Sequence, residues 1–228
     1  MSIDRTTWEF LKAFRDDRLA KIESGEIPVS LAEGSSVVLH LMPASAFSPG
    51  TQIDLSAALR HANLAGLSGE SWGLSYDFEG LLVWESSDAE ETTSYVQLFR
   101  PGTIEIADTA LLASGESGEK PDIHDFEKAV DAAARQWISI LRDVGAAGPL
   151  AAALTLSGVR NWSLQSDAPD ARLTPRPIDR DDLVIPEAFL EDLAGDPGLM
   201  MKALFDPIWN AAGYAGSPSF TAQGSLRR

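Results

Sequence analysis

Residues 72–108 read WGLSYDFEGLLVWESSDAEETTSYVQLFRPGTIEIAD, and this stretch decides the fold. Aromatic and β-branched residues alternate with polar ones in four short runs: Trp72–Phe78, Leu81–Glu85, Ser94–Phe99 and Ile104–Ala107. Glu79-Gly80 and Pro101-Gly102 punctuate them as turn dipeptides, and Asp88-Ala89-Glu90-Glu91 makes an acidic break between the two pairs. A period of two interrupted by tight turns predicts four antiparallel strands in meander order.

Upstream, Val37–Met42 (VVLHLM) is a short apolar run closed by Pro43 and reads as a buried strand. Residues 4–24 set Trp8, Leu11, Arg15, Arg18 and Ile22 at helical spacing, with Phe10 and Phe14 beside them. Glu9, Lys12, Asp16, Asp17 and Lys21 make the opposite face, and Ser24-Gly25 ends the helix. A short helix capped near Asp54 is predicted over Asp54–His61.

Downstream, Asp122 is an N-cap for a long helix from Ile123 to about Arg142, with Phe126, Val130, Ala133, Ala134, Trp137, Ile138 and Leu141 as its apolar stripe. Leu150–Leu156 reads as a strand, with Arg160–Leu164 returning beside it. Ser166–Asp182 holds three prolines and mixed charge and reads as a surface connection. Two helices are predicted after it, Pro186–Leu193 and Leu199–Ala212, the second kinked or broken at Pro207. Gly213–Arg228 reads as a loosely packed tail.

Strands cluster here without a helix between each pair. The expected fold is therefore α+β, an antiparallel sheet of about five to seven strands packed with flanking helices. Residues 1–165 form the sheet domain, and residues 166–228 a proline-rich connection with C-terminal helices packing on that domain.

The 228 residues contain no cysteine, which removes disulfides, thiolate metal sites and cysteine nucleophiles and fits a reducing cytosol. The N-terminus has no apolar signal core, and the longest uncharged apolar stretch, Gly145–Val159, is too short to span a bilayer. These features predict a cytoplasmic protein without membrane association. The formal charge is −16, and residues 61–150 hold most of the excess, with 5 Lys+Arg against 16 Asp+Glu. Such a surface repels a phosphate backbone, so direct nucleic-acid binding is not expected, while a basic protein partner is.

No motif for catalysis or for a cofactor occurs, and no cofactor is expected. His40, His61 and His124 lack metal-ligand spacing; His40, inside an apolar strand, reads as a hydrogen-bonded core residue rather than a general base. Gly115–Lys120 (GESGEK) has two residues between its glycines and Pro121 after the lysine, so it fails as a phosphate loop. No G-x-S-x-G elbow is present. Asp77 and Glu79, two apart in a strand context, with Glu105 and Glu85 across the sheet, are the candidates for a divalent-metal or acid–base site. As ordinary residues they belong to a turn and a polar face. Asp179, Asp181 and Asp182 form a second acidic cluster that Arg176 and Arg180 can neutralise.

The blocks VVLHLMPASAFSPG, SWGLSYDFEGLLVW, SYVQLFRPGTIEI, LTLSGVRNWSL and FDPIWNAAGYAGSPSF resemble, in this order from about Phe10 to Phe220, a region of bacterial proteins that carry a Schlafen-type AlbA domain. Those proteins are described as ATP-binding or DNA-binding. The similar region lies downstream of the AlbA domain, which is absent from this chain, so no functional residue of the family has a counterpart here. The resemblance implies a stand-alone accessory domain and a partner that could itself carry an AlbA domain; it does not imply DNA or ATP binding. The leading expectation is a non-enzymatic bacterial accessory or regulatory binding domain. The alternatives are a carboxylate-based metal-dependent hydrolase or nuclease, and a small-ligand sensor with its pocket between the sheet and the Ile123–Arg142 helix.

Overall fold

A computed structural model describes residues 4–61, 64–68, 72–85, 91–113, 122–165 and 172–227. The sequence-predicted phosphate-loop lookalike at Gly115–Lys120, and Asp88 and Glu90 of the acidic break, lie outside these residues. The elements are α1 (Arg5–Ser24), β1 (Ser36–Pro43), α2 (Leu55–Ala58), β2 (Trp72–Tyr76), β3 (Gly80–Glu85), β4 (Ser94–Phe99), β5 (Ile104–Asp108), α3 (Ile123–Asp143), β6 (Leu150–Ser157), β7 (Leu183–Val184), β8 (Ala188–Leu190) and α4 (Gly198–Ala211).

The strands form one eight-stranded antiparallel sheet in the order β2-β3-β4-β5-β1-β6-β7, with β8 also pairing with β6. The α+β class and the meander β2–β5 are as the sequence predicts. β1 enters the middle of the sheet because its runs on both faces are apolar: Val37, Leu39 and Leu41 on one, Val38 and Met42 on the other. The first face packs with Val96, Leu98, Ile104, Ile106, Leu154 and Leu156 into the main core. Helices α3 and α4 close that core with Phe126, Val130, Trp137 and Leu141, and with Leu204, Phe205 and Trp209. The second face carries α1.

Local chemistry fixes the element ends. The Asp4 carboxylate accepts from the Thr6 and Thr7 amides at the start of α1, and Gly25 closes the helix in the left-handed region at φ 74°. Asp54 and Asp122 cap α2 and α3 in the same way. The β2–β3 turn spans Asp77–Gly80: the Asp77 carboxylate accepts from the Gly80 amide at 2.6 Å. A Cβ at Gly80 would stand 2.0 Å from the Leu98 carbonyl oxygen, which is backbone and cannot swing aside. Gly80→Ala is therefore expected to cost about 1–3 kcal/mol or more. Urea unfolding checks this, and an unchanged midpoint would contradict it.

Four expectations are corrected. Pro186–Leu193 is not a helix but carries β8, and β7 precedes it; Ala188 and Leu190 are buried while Phe189 is exposed, a period of two. The open edge of β6 offers hydrogen bonds that override local helix preference. The C-terminal part thus packs on the sheet domain with one helix and two strands, which take the sheet to eight. Arg160–Leu164 does not return beside β6. Asn161 turns the chain at φ 64°, and the backbone of Asn161 and Trp162 bonds to Ile178 instead. Of the kink or break expected at Pro207, the break does not occur: α4 continues through that residue. The tail is anchored rather than loose: Phe220 is buried against Phe205, with ring centroids 5.5 Å apart.

Candidate functional site

The densest set of titratable side chains lies between α1 and the centre of the sheet. Arg15 and Arg18 stand on the inward stripe of α1, where a charge is tolerated only if it meets a partner. The Arg18 guanidinium forks onto Glu105 of β5, with Nη2 2.8 Å from Oε1 and Nε 3.0 Å from Oε2. Tyr95 Oη of β4 donates to Glu105 Oε1 at 2.8 Å, and His40 Nε2 of β1 lies 3.0 Å from Oε2. Strand pairing places these residues together, since His40 is opposite Glu105 and β4 lies on the other side of β5. Phe99 covers the guanidinium face at 5.0 Å, and Phe14 packs edge-on to His40 and Phe99. Arg15 makes a second inward pair, with Glu187, where Trp8 also packs on Phe189 at 5.7 Å.

The network is closed to solvent: His40, Glu105 and Tyr95 are 0 % exposed and Arg18 3 %. Burial alone would raise the Glu105 pKa, but its bonds with His40 and Arg18 outweigh that and hold it down at about 2. Burial and the adjacent Glu105 push the Tyr95 phenol far up. Burial opposes the Arg18 charge, and Glu105 more than restores it. The result at neutral pH is a sealed ion pair and a neutral phenol. The sequence reading of His40 as a hydrogen-bonded core histidine holds; its Nε2–H donates, and its Nδ1 has no partner.

Of the metal candidates, the fold brings Glu79 and Glu105 to the same guanidinium, with Glu79 Oε2 3.5 Å from Arg18 Nη1. Asp77 sits nearby, accepting from Gln97 Nε2 at 3.2 Å. Glu85 falls on the opposite face of the sheet from Glu105. Four donors already reach the two oxygens of Glu105, which fills a carboxylate's lone pairs and leaves none for a cation. Among the described residues no group of three or more His, Asp or Glu side chains gathers as a metal cage.

A second constellation was not legible in the sequence, because its members are 95 residues apart. His124 Nδ1 lies 2.8 Å from Ser219 Oγ and 3.9 Å from Glu127 Oε2. A Ser–His–acid relay needs the serine and the acid on different ring nitrogens, and here both face Nδ1. Glu127 instead accepts from Trp209 Nε1 at 2.8 Å and ties α3 to α4. Burial raises its pKa above 4.5, against the bonds that favour its charge. A carboxyl whose folded pKa is raised loses stability as pH climbs past its unfolded pKa. Glu127→Gln is accordingly expected to raise the melting temperature at pH 7 and to flatten its pH dependence above about pH 4.5. Calorimetry at pH 4 and pH 7 checks this; a lower melting temperature at pH 7 would contradict it.

An open cleft lies on the α1 face, with Val38 of its floor two residues along β1 from His40. It measures about 660 Å³ and runs between the C-terminal end of α1, segment 25–36 and the β6–β7 edge. Leu19, Ile22, Ile27, Val29 and Leu31 make one wall, and Val38, Thr155 and Val184, paired across β1, β6 and β7, make the floor. Its mouth carries Glu23, Glu33, Asp181 and Asp182. Two residues of the acidic cluster predicted at Asp179–Asp182 thus face the cleft, while Asp179 pairs with Arg180. The pocket predicted under α3 is corrected: Phe126, Val130, Trp137 and Leu141 fill that interface. No local pattern signals the cleft itself, whose lining comes from four separate segments.

Compared with protein-family models, with curated proteins and with solved structures, the chain matches none. Among the described residues no helix is long and apolar enough to cross a membrane.

Proposed function

We propose that this protein is a non-enzymatic accessory binding domain that takes a small ligand in the cleft at the end of α1. The observation that carries this reading is the cleft: a concavity of about 660 Å³ with one apolar wall and a polar mouth, within the roughly 300–1,000 Å³ of small-molecule sites. The contrast with the charge network supports it. Chemistry needs a substrate in contact with its acid and base, and His40, Glu105 and Tyr95 are sealed under α1. The resemblance to regions that follow AlbA domains is consistent with an accessory role in a bacterial cytoplasm. A basic or AlbA-carrying protein would then receive the ligand signal through the acid-rich surface.

The runner-up, a carboxylate-based hydrolase or nuclease, would have to detach Glu105 from Arg18 before it could hold a metal. A thermal-shift screen of metabolites tests the binding reading. A ligand at 100 times its Kd adds about 2.7 kcal/mol of stability. That shift is expected to disappear in Val184→Trp, which crowds the cleft from an exposed position. Turnover in a hydrolase and nuclease screen that is lost in Glu79→Gln would overturn it.

A further inference from the structure

We infer that the ligand of this cleft is an apolar primary amine, bound with its hydrocarbon body against the wall of Leu19, Ile22, Ile27, Val29 and Leu31 and its ammonium between the floor hydroxyls and the carboxylates of the mouth. This rests on the binding reading above and names the ligand class. Glu23, Glu33, Asp181 and Asp182 line the cleft, and no Lys, Arg or His does. Among the described residues none of these four carboxylates forms an ion pair; the nearby cations Lys21 and Arg180 are held by Asp17 and Asp179. The site therefore presents uncompensated negative charge on a protein that already carries −16. Such a concavity concentrates cations and repels anions.

The floor supplies an independent observation. Thr155 lies between Val38 and Val184, is 6 % exposed, and its hydroxyl has no hydrogen-bond partner. A buried hydroxyl left unpaired is costly, and a donor on a bound ligand relieves it. Ser36, Ser157 and Thr109 add further hydroxyls to the lining. Hydroxyls and carboxylates together match the three N–H donors of a primary ammonium. A quaternary ammonium has no donors and is bound by aromatic faces, and no aromatic side chain lines the cleft. Leu19, Ile22, Ile27, Val29 and Leu31 form a continuous apolar wall, and a polyamine with no hydrocarbon body would leave it uncovered.

Isothermal titration with three probes of equal shape tests this: 4-phenylbutylamine, 4-phenylbutan-1-ol and 4-phenylbutyrate. The amine is expected to bind at least tenfold tighter than the alcohol, and the acid not measurably. The double variant Asp181→Asn, Asp182→Asn alters only exposed side chains, so the fold is retained. It should weaken the amine at least fivefold and leave the alcohol unchanged; 1 M salt should act in the same direction. Equal binding of amine and alcohol would overturn the amine inference and leave the binding reading standing. Failure of all three to bind would also overturn it, with the metabolite screen then deciding the binding reading separately.

Discussion

Replacing Glu105 with alanine is expected to lower the unfolding free energy by about 3–5 kcal/mol, the cost of leaving one charge of a buried pair without its partner. Arg18 would remain 3 % exposed with only Glu79, at 3.5 Å and half in solvent, to balance it. Tyr95 and His40 would lose their shared acceptor at the same time. A typical domain has only about 5–15 kcal/mol to lose, so urea unfolding reads the effect directly. The paired variant Arg18→Met with Glu105→Leu should recover the part of the loss due to the stranded Arg18 charge, because an apolar pair replaces a buried ion pair at little cost, while the unpaired Tyr95 and His40 donors keep it below wild type. The same pair governs acid stability. Glu105 titrates near 2 when folded and near 4.5 when unfolded. Its contribution is therefore complete above pH 4.5 and lost as pH falls toward 2, amounting to about 3 kcal/mol at 1.36 kcal/mol per pH unit. A wild-type protein equally stable at pH 5 and pH 2.5 would contradict this.

Trp137→Ala is expected to be as damaging from the other face of the sheet. Trp137 is fully buried on α3, packs in the main core and donates from Nε1 to the Ala65 carbonyl at 3.0 Å. Removing a buried tryptophan side chain costs about 3–5 kcal/mol through lost transfer energy and the cavity left behind. In a chain of this size that corresponds to a fall in Tm of about 6–20 °C. Trp137→Phe keeps most of the volume and loses only the hydrogen bond, so it should fall by less than half as much. If the two variants melted together, the hydrogen bond and not the packing would be the main term.

The sheet and its helices were readable because local chemistry and tertiary need coincide there. The alternation of Ser94–Phe99 and Ile104–Ala107, the Pro101-Gly102 turn and the Asp54 and Asp122 caps all reappear as read. Strands β7 and β8 escaped because two and three residues are too few to show a period, and Pro186 resembles a helix start. Their conformation is set by the edge of β6, some 30 residues away. The charge network left a signal that went unused. Arg15 and Arg18 stand on an apolar helical stripe, and His40 and Glu105 stand alone inside apolar strands. Charges at buried positions of three periodic elements must find one another. What could not be read was which would pair, since that depends on strand order. The cleft was illegible for a stronger reason: its lining residues join only after α1, the 25–36 segment and β7 have docked on the sheet.

On the proposed function, ligand binding belongs to the open cleft and not to the sealed charge network. The most direct test is a two-dimensional amide NMR titration of the whole chain with 4-phenylbutylamine. Saturable shifts are expected at Leu19, Val29, Leu31, Thr155 and Val184, with His40, Tyr95 and Glu105 unmoved. Shifts centred on His40, Tyr95 and Glu105, or on the α3–α4 face, would contradict it.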